Sequence, residues 1–413
     1  MVNIIRKPLV VLFLASAAKA ADGSTGLNAS MVSRVKQRLA DAAQLSWELG
    51  TRTQTLLELD TPSFSVFSED FPPPRDAPES LNDVIGIARN IVQNRRNGEL
   101  PLMEDGSAAD PASNGVGVLI ANWTSASGGN YGQAAADQLM FLLSFAPRAP
   151  NGAISHRADQ TQLWSDFVYM VPPFLAYYGV LTNNQTLVEE SYNQIKLYRD
   201  VLADDTGMWQ HIRQGSFEDP GHWSTGNGWA AMGMLRVLAT IRGSPWSKAM
   251  RRHTSDLEDW VREILDAMWP NLTDRGMFHN YADDPSTFQD AASAALIAAS
   301  TYRLSLVSGI HTHLPSAGKV HAALSIVGSS SANPNARVTP DGWLTPVVNP
   351  HSFGEEGAES AEAQAFVLQM HAAWAEWVED GQKGANAAKR SCASVGWVVG
   401  LGVLVGVLAA GIW

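Results

Sequence analysis

The chain has 413 residues, of which 45% are hydrophobic and 17% are charged, with 34 Gly and 21 Pro. This composition excludes disordered and fibrous proteins, so we expect a globular fold with a large apolar core. The net charge of −12 argues against nucleic acids and anionic membrane surfaces as partners. The single cysteine, Cys392, excludes an intrachain disulfide and a zinc site built from several cysteines.

Residues 1–20 have the pattern of a secretory signal peptide. Arg6 and Lys7 precede the apolar stretch 8–18, and Ala18-Lys-Ala20 fits a small-x-small cleavage site. The apolar stretch is too short to favour the alternative, an N-terminal membrane anchor. We therefore expect cleavage after Ala20. Four Asn-x-Ser/Thr sequons agree with passage through a glycosylating pathway. They begin at Asn28, Asn122, Asn184 and Asn271.

The C-terminal segment resembles a glycolipid (GPI) anchor signal. Residues 395–413 are uncharged and apolar, and they follow Lys389-Arg390 and the small residues 384–388. This layout predicts anchor attachment, with Asn386 as the expected site, and a protein held at the cell surface. A retained transmembrane tail is the alternative, but its flanking cations would lie on the extracellular side. Removal of both end segments takes away five cations, so the mature body is more acidic than the whole chain.

Residues 21–386 are predicted to form one helical domain, because no linker or charge run divides them. Helical periodicity is visible in eight segments. They are 32–57, 81–92, 134–145, 187–202, 228–241, 255–268, 291–306 and 361–378. Long Gly-, Pro- and Trp-rich stretches, such as 104–129, 214–227 and 328–359, are predicted as loops on one face of this scaffold. The length of the domain suits six helical hairpins arranged in a ring.

The segment around Asp166 carries a candidate catalytic acid. Gln162, Ser165, Asp166 and Tyr169 have i, i+3, i+4, i+7 spacing, which predicts one polar stripe on an otherwise apolar helix ended by Pro172-Pro173. A half-buried carboxyl there would have the raised pKa that a general acid requires. The alternative is a solvated carboxylate on an amphipathic helix.

Residues 205–229 combine indole rings, hydrogen-bonding side chains and glycines. The segment contains Asp205-Thr-Gly-Met-Trp-Gln-His211 and His222-Trp223-Ser-Thr-Gly-Asn227-Gly-Trp229. Sugar faces stack on indoles while sugar hydroxyls pair with polar groups, so this composition favours a carbohydrate site. Tryptophans that serve only as core are the alternative.

Taken together, these motifs resemble the unsaturated rhamnogalacturonyl hydrolases (glycoside hydrolase family 105), as a cell-surface member of fungal type. The resemblance rests on the order and spacing of His156-Arg157, Gln162-x-Trp164-x-Asp166, Asp205-x-Gly-x-x-x-His211 and Trp223-x-x-Gly-Asn-Gly-Trp229. Two later segments agree more loosely. They are Gln289-Asp-Ala-Ala-Ser and Ser360-Ala-Glu-Ala-Gln-Ala-Phe366.

The resemblance implies an all-α fold, an (α/α)6 barrel of the six-hairpin glycosidase type. It also implies a hydrolase that removes a Δ4,5-unsaturated uronic acid from pectin-derived oligosaccharides by hydrating a vinyl ether, with Asp166 as the acid/base. The family's substrate-binding positions match eight residues here, with Asp137 also a weaker candidate for a second acid. They are Asp137, His156, Arg157, Trp164, His211, Trp223, Asn227 and Trp229.

One departure concerns specificity. The family commonly has Arg two residues after the first Trp of Trp-x-Arg-Gly-Asn-Gly-Trp, whereas this chain has Thr225. A loss of one cation weakens the case for an anionic sugar. Two alternatives therefore stay open: a mannanase-like six-hairpin enzyme for a neutral wall glycan, using Asp204-Asp205 or Asp283-Asp284, and an inactive carbohydrate-binding barrel.

No cofactor is implied, and no metal site is expected. His311-x-His313 lacks acidic or cysteine neighbours in sequence and is interpreted as a surface pair. The expected partner is an oligosaccharide, bound by a monomer that reaches a membrane only through its anchor or tail.

Overall fold

The computed structural model describes residues 26–69, 71–96 and 98–385. The predicted signal segment, Asn386 and the apolar tail lie outside the described residues. The described part is mostly helical, with thirteen α-helices and six short strands. The helices are α1 (Ala29–Ala42), α2 (Ser46–Asp60), α3 (Asn82–Asn94), α4 (Gly115–Trp123), α5 (Tyr131–Ser144), α6 (Phe167–Met170), α7 (Pro172–Leu181), α8 (Gln185–Leu202), α9 (Ser224–Gly243), α10 (Arg251–Met268), α11 (Ala291–Ser308), α12 (Leu314–Leu324) and α13 (Ala361–Glu379).

Six helices form an inner ring. In order around the ring they are α2, α4, α7, α9, α11 and α13, and α13 packs against α2 to close it. The other long helices, α1, α3, α5, α8, α10 and α12, surround the ring. Each outer helix precedes an inner helix in the chain, which gives six hairpins. The predicted (α/α)6 barrel is confirmed.

The sequences of the two layers explain their positions. Residues 224–241 of α9 and 291–305 of α11 are all buried, so these helices are covered on every side. Outer helix α10 has a single buried stripe that includes Leu257, Val261 and Ile264. A helix that is apolar all round must lie in the interior, whereas one apolar stripe suits a surface layer.

The inner helices begin at one end of the barrel. Asp290 caps α11 by accepting hydrogen bonds from the backbone N–H groups of Ala292 and Ser293, and Ser360 caps α13 through Ala363. Such caps satisfy backbone groups that a helix start leaves unpaired. The connections from outer to inner helices gather at this end.

Those connections also carry the strands, which form three antiparallel pairs. They are β1 (Leu163–Trp164) with β2 (Ile212–Arg213), β3 (Phe278–His279) with β4 (Gln289–Asp290), and β5 (Val347–Asn349) with β6 (Ser352–Gly357). Trp164 lies opposite Ile212, Phe278 lies opposite Asp290, and the β5–β6 hairpin is irregular between Val348 and Asn349.

The structure corrects three local predictions. The helix predicted over 32–57 is two helices, α1 and α2, separated by residues 43–45. The stretch 104–129, predicted as a loop, contains inner helix α4. Its Gly-rich sequence conceals this helix because close packing requires small residues: a Cβ on Gly115 would lie 2.2 Å from the Phe174 ring.

The third correction concerns the segment around Asp166. Residues 163–164 form strand β1 and Asp166 precedes the one-turn helix α6, so no polar stripe runs along a helix there. Pro172 and Pro173 open α7 instead of ending a helix, as their fixed φ and missing N–H allow at a first turn. None of the helices in the described ranges has the length and apolar composition to cross a bilayer.

Candidate active site

A cavity of about 420 Å³ lies where the inner helices begin. Its wall includes Trp47 from the first turn of α2, Asp110 before α4, Asp166 before α7, Thr225 in α9 and Glu362 in α13. Five different hairpins therefore contribute side chains to one cavity. This volume is in the range of small-ligand sites.

Asp166 is a buried acid in this wall. Ser165 Oγ donates a hydrogen bond to Asp166 Oδ2 at 3.1 Å, and His211 Nε2 lies 3.6 Å from the same oxygen. Burial raises the pKa of the Asp166 carboxyl above its ordinary value, while the charge of His211 opposes the rise. A carboxyl with a raised pKa can donate a proton and afterwards accept one.

The Asp219 carboxylate fixes the orientation of the His211 ring. Its Nδ1 lies 2.9 Å from Asp219 Oδ2, and the Tyr281 hydroxyl donates to that same oxygen. Burial of Asp219 opposes ionisation, but hydrogen bonds from His211 and Tyr281 outweigh it and lower the pKa of this carboxyl. Nε2 of His211 is buried and makes no hydrogen bond within the described residues, so it faces Asp166 unpaired.

A second buried acid, Asp110, also lines the cavity. Burial, together with the negative charges of Asp105 and Asp166, raises the pKa of Asp110 well above its usual range. His156 Nε2 lies 3.6 Å from Asp110 Oδ1. Burial and the positive charges of Arg157 and His211 lower the pKa of His156 to about 3. Near neutral pH the His156 imidazole is therefore uncharged, and the raised pKa of Asp110 favours its protonated form.

The sequence reasoning did not identify Asp110 and offered Asp137 as the second acid. Asp137 lies on outer helix α5, away from the cavity, where it forms an ion pair with Arg95 at 3.0 Å. One feature of the sequence could have identified Asp110. Like Asp166, it precedes an inner helix and has a proline close to the start of that helix; the prolines are Pro111 and Pro172. The position of α4 had to be known before that feature could be used.

Asn227 does not reach the cavity surface. It is fully buried, donates to the carbonyl oxygens of Trp209 and Trp223, and accepts from the Trp209 N–H at 2.8 Å. The Gly-Asn-Gly part of the motif thus fixes the start of α9 against the preceding loop. Gly226 permits the close approach of Ser165 to the start of α9, since a Cβ at residue 226 would lie 2.4 Å from Ser165 Oγ.

Aromatic rings form the apolar part of the wall. Trp164 stacks on His156 with ring centres 5.0 Å apart and meets His211 edge-on at 5.4 Å. Trp223 lies 4.4 Å from the His211 ring, and Phe353 covers that ring edge-on at 4.5 Å. Trp229 also lines the cavity. The rings of both histidines are thus packed against aromatic side chains.

Arg157 is the one Arg or Lys side chain among the described residues that line the cavity. It is about one-third exposed and lies 3.5 Å from Asp159 at the rim. Thr225, at the position where Arg was expected, is buried and donates from Oγ1 to Asp290 Oδ2 at 3.0 Å. The Thr225 hydroxyl thus donates a hydrogen bond to the carboxylate that caps α11, but it adds no positive charge to the cavity.

The sequence reasoning also missed the opposite wall, which consists of the β5–β6 hairpin and the start of α13. Ser360 Oγ donates to Glu362 Oε2 at 3.0 Å, and the Trp47 indole N–H donates to Oε1. Burial, with the charge of Glu48 as the second cause, raises the pKa of Glu362 to about 7. The prediction of a long loop over 328–359 concealed this wall.

Other candidate groups lie outside the cavity. His222 contacts Asp204 through Nε2 at 2.8 Å and Asp283 through Nδ1 at 2.7 Å, so neither Asp204-Asp205 nor Asp283-Asp284 faces the cavity. His313 Nε2 pairs with Asp266 at 2.6 Å and His311 Nδ1 with Ser305 at 2.8 Å. Within 26–69, 71–96 and 98–385, no three His, Cys, Asp or Glu side chains are grouped to hold a metal.

Comparison with solved structures agrees with the barrel. A possible member of the GH105 family from Klebsiella pneumoniae superposes with a TM-score of 0.65 at 16% identity, covering 84% of this chain and 92% of its own. The unsaturated glucuronyl hydrolase from Bacillus sp. GL1 gives a TM-score of 0.57 at 13% identity, covering 85% and 95%. At these identities the likeness shows a common fold.

Comparison of sequences identifies the family. The unsaturated rhamnogalacturonyl hydrolase YesR of Bacillus subtilis is 25% identical over 178 residues, which are 41% of this chain and 50% of that protein. The chain therefore spans half the length of this curated relative. The model of Glycosyl Hydrolase Family 88 matches residues 78–342, more than half of the chain and the region that holds Asp110, Asp166 and His211. The chain belongs to Glycosyl Hydrolase Family 88, a family of glycoside hydrolases.

Proposed function

We propose that this protein removes a Δ4,5-unsaturated uronic acid from the non-reducing end of pectin-derived, rhamnogalacturonan-type oligosaccharides. The observation that carries the proposal is a buried acid, Asp166, beside an oriented histidine, His211, in an aromatic-walled cavity. The family match and the similarity to an unsaturated rhamnogalacturonyl hydrolase support the same substrate class.

The proposed chemistry is hydration of a vinyl ether. Protonated Asp166 gives its proton to C4, and positive charge develops at C5 and the ring oxygen. The Asp166 carboxylate then takes a proton from water as the water oxygen bonds to C5, which forms a hemiketal. Opening of the ring yields a C5 ketone and a C1 hemiacetal, and the hemiacetal releases the remaining sugar as an alcohol. One acid that works twice suffices, without the two flanking carboxylates of ordinary glycosidases.

The remaining residues of the cavity fit this reaction. His211, whose Nδ1 is fixed by Asp219, directs Nε2 toward the Asp166 carboxyl and steadies its charged form. Burial raises the pKa of Asp110 and favours its protonated form, which can donate an O–H to a sugar oxygen, as an ionised carboxylate could not. Arg157 supplies the charge for the uronate carboxylate, because a guanidinium can pair with both of its oxygens.

Kinetics on an unsaturated galacturonyl-rhamnose disaccharide test this function. We expect loss of the ultraviolet absorbance of the C4=C5 bond, with release of rhamnose. Asp166→Asn should fold normally and lower kcat by about 10² to 10⁴, the usual contribution of a general acid/base. Ser216→Ala, at an exposed position outside the cavity, is a matched control that should keep full activity.

Two results would contradict the proposal. Release or transfer of mannose from a neutral wall glycan, with the unsaturated disaccharide untouched, would assign a neutral substrate. Binding of oligosaccharides without turnover would mean an inactive carbohydrate-binding barrel.

We also propose that the protein acts at the cell surface, delivered by the segment 1–20 and held by a glycolipid at Asn386. The motifs in the sequence support this location.

A further inference from the structure

A second cavity, of about 530 Å³, lies away from the catalytic one and is rich in positive charge. Arg275, Lys319 and Arg337 line it, with Asp274 as the one carboxylate among its described lining residues. None of the three cations forms an ion pair with a carboxylate in the part of the chain that the structure describes. In a chain with a net charge of −12, an unpaired group of three cations is a local exception.

The two guanidinium groups are held side by side. Arg275 Nη2 and Arg337 Nη1 each donate to the carbonyl oxygen of Pro334 at 3.0 Å, and Arg337 Nη1 also donates to Ala336 at 2.9 Å. Two like charges that share one acceptor repel each other, and an anion bound beside them would offset that repulsion. Backbone carbonyls position these groups but do not neutralise them.

Arg337 is the buried member of the cluster. It is only 3% exposed, and its Nε makes no hydrogen bond within the described residues. An arginine stays charged even when burial and a neighbouring arginine lower its pKa, as they do here. The backbone carbonyls bonded to Nη1 leave the charge of Arg337 without a counter-ion and its Nε without an acceptor, and an anion at the cluster would supply both.

The cluster lies on the catalytic face of the barrel. Residues 272–276 belong to the connection from α10 to α11, and residues 326–337 to the connection from α12 to α13. Both connections continue to the starts of inner helices, and the second also carries the β5–β6 wall of the catalytic cavity. Because Lys319 belongs to outer helix α12, the cluster lies toward the edge of that face.

We propose that Arg275, Lys319 and Arg337 form a second carbohydrate-binding site, which holds a uronate carboxylate of the polysaccharide outside the catalytic cavity. The identity of the anion rests on the proposed function. Its chemical class rests on the cluster itself, because planar arginine forks match the two oxygens of a carboxylate. A polymer held there would lie across the face on which its end is cleaved.

Binding of saturated tetragalacturonate, which lacks the C4=C5 bond and cannot be hydrated, tests this site. In titration calorimetry at low ionic strength, we expect the double variant Arg275→Gln/Lys319→Gln to lose at least about tenfold in affinity, as for a carboxylate that loses its charged partners. Both side chains are exposed, so these substitutions leave the core intact. Arg251→Gln/Arg252→Gln on α10 changes the net charge equally at exposed positions and should leave binding unchanged.

The probes separate a carbohydrate site from a simple anion site. A neutral tetrasaccharide should not bind at the cluster, and inorganic sulfate and phosphate should compete only weakly. Equal affinity in the wild type and the Arg275/Lys319 variant would overturn the proposal, as would sulfate or phosphate binding as tightly as tetragalacturonate. Hydrolysis of the unsaturated disaccharide by the wild type is measured separately, so failure of the proposed function is distinguishable from failure of this site.

Discussion

At the scale of single residues, the cavity combines several acids with one permanent cation. Asp105, Asp110, Asp166 and Glu362 line it together with Arg157. Burial raises the pKa of Asp110 and of Asp166, which favours the uncharged form of each carboxyl.

Arg157 therefore has the largest expected effect on uronate recognition. Removing one partner of a desolvated charge pair costs about 2 to 5 kcal/mol. Arg157→Ala should lower kcat/KM for an unsaturated disaccharide by about 30-fold or more, at ~1.4 kcal/mol per decade, and Arg157→Lys should lower it less. Thr225→Arg, which adds a cation beside Asp290, should raise affinity for the uronide. Unchanged kinetics in Arg157→Ala, together with inactivation by Thr225→Arg, would indicate a neutral sugar.

Glu362 should couple stability to pH. The pKa of Glu362 is raised from 4.5 to about 7 in the folded state, so the folded protein binds the proton more tightly than the unfolded chain. Its contribution to stability is therefore complete below about pH 4.5 and is lost as pH rises through about 7. Glu362→Gln, which cannot ionise, should lose less stability than the wild type between pH 4.5 and 8. Thermal unfolding of both proteins across this range measures the difference, and parallel curves would mean that Glu362 titrates normally.

At the scale of elements, four inner helices are joined by a charge network that is largely buried. Glu58 on α2 accepts from Arg236 Nη2 on α9 at 2.7 Å and from Arg303 Nη2 on α11 at 3.1 Å, and all three side chains are about 1% exposed. Arg303 also pairs with Glu376 on α13. The Arg236 guanidinium lies over the Tyr169 ring at 4.2 Å. The ion pairs of Glu58 join helices that are not neighbours in the ring, whereas apolar packing joins adjacent helices.

Breaking this network should be costly. Glu58→Gln leaves Arg236 and Arg303 buried with an unbalanced charge, and loss of one partner of a buried pair typically costs about 3 to 5 kcal/mol. Denaturant unfolding with an unchanged m-value should show this loss. Asp200→Asn, which breaks the exposed Lys196–Asp200 pair, is the control and should cost at most about 1 kcal/mol. Similar midpoints for the two variants would mean that the arginines find other partners.

Several helices could be predicted from the sequence, whereas α4 and α7 could not. The amphipathic outer helices α8 and α10 have one apolar stripe each, and their predicted cores lie within the observed bounds. Helices α4 and α7 are apolar all round and contain Gly or Pro, so they lack a period and were missed. Burial on every side does not by itself hide a helix, since 228–241 and 291–306 were predicted although α9 and α11 are buried all round.

The sequence predicted some residues of the cavity and missed others. One cavity is lined by seven predicted residues, which come from two connections and from α9: His156, Arg157, Trp164, Asp166, His211, Trp223 and Trp229. Asp110, Asp219 and Glu362 were missed because their roles depend on which helices meet. Asp219, for example, acts only through the ring of His211. A sequence shows chemical types and spacing, while contacts between distant hairpins need the closed barrel.

At the scale of the whole molecule, the attachment of the chain is open to a direct test. A glycolipid at Asn386 predicts that phosphatidylinositol-specific phospholipase releases the protein from intact cells. The released protein should lack residues 387–413 in its mass spectrum. Retention of the apolar segment 395–413 in the mature mass, with no release, would identify a transmembrane tail instead.

Closure of the ring by the last inner helix has a consequence for biosynthesis. Helix α13 packs against α2 and α1, and it carries Glu362 in the cavity wall. The ribosome makes α13 after all the other barrel helices, so the apolar sides of α2 and α11 that face it stay uncovered until translation of the barrel is almost complete. Chains stalled before residue 361 would expose those surfaces, which makes them clients for chaperones and prone to aggregation. The enzyme thus gains its active-site wall and its solubility in the same late step.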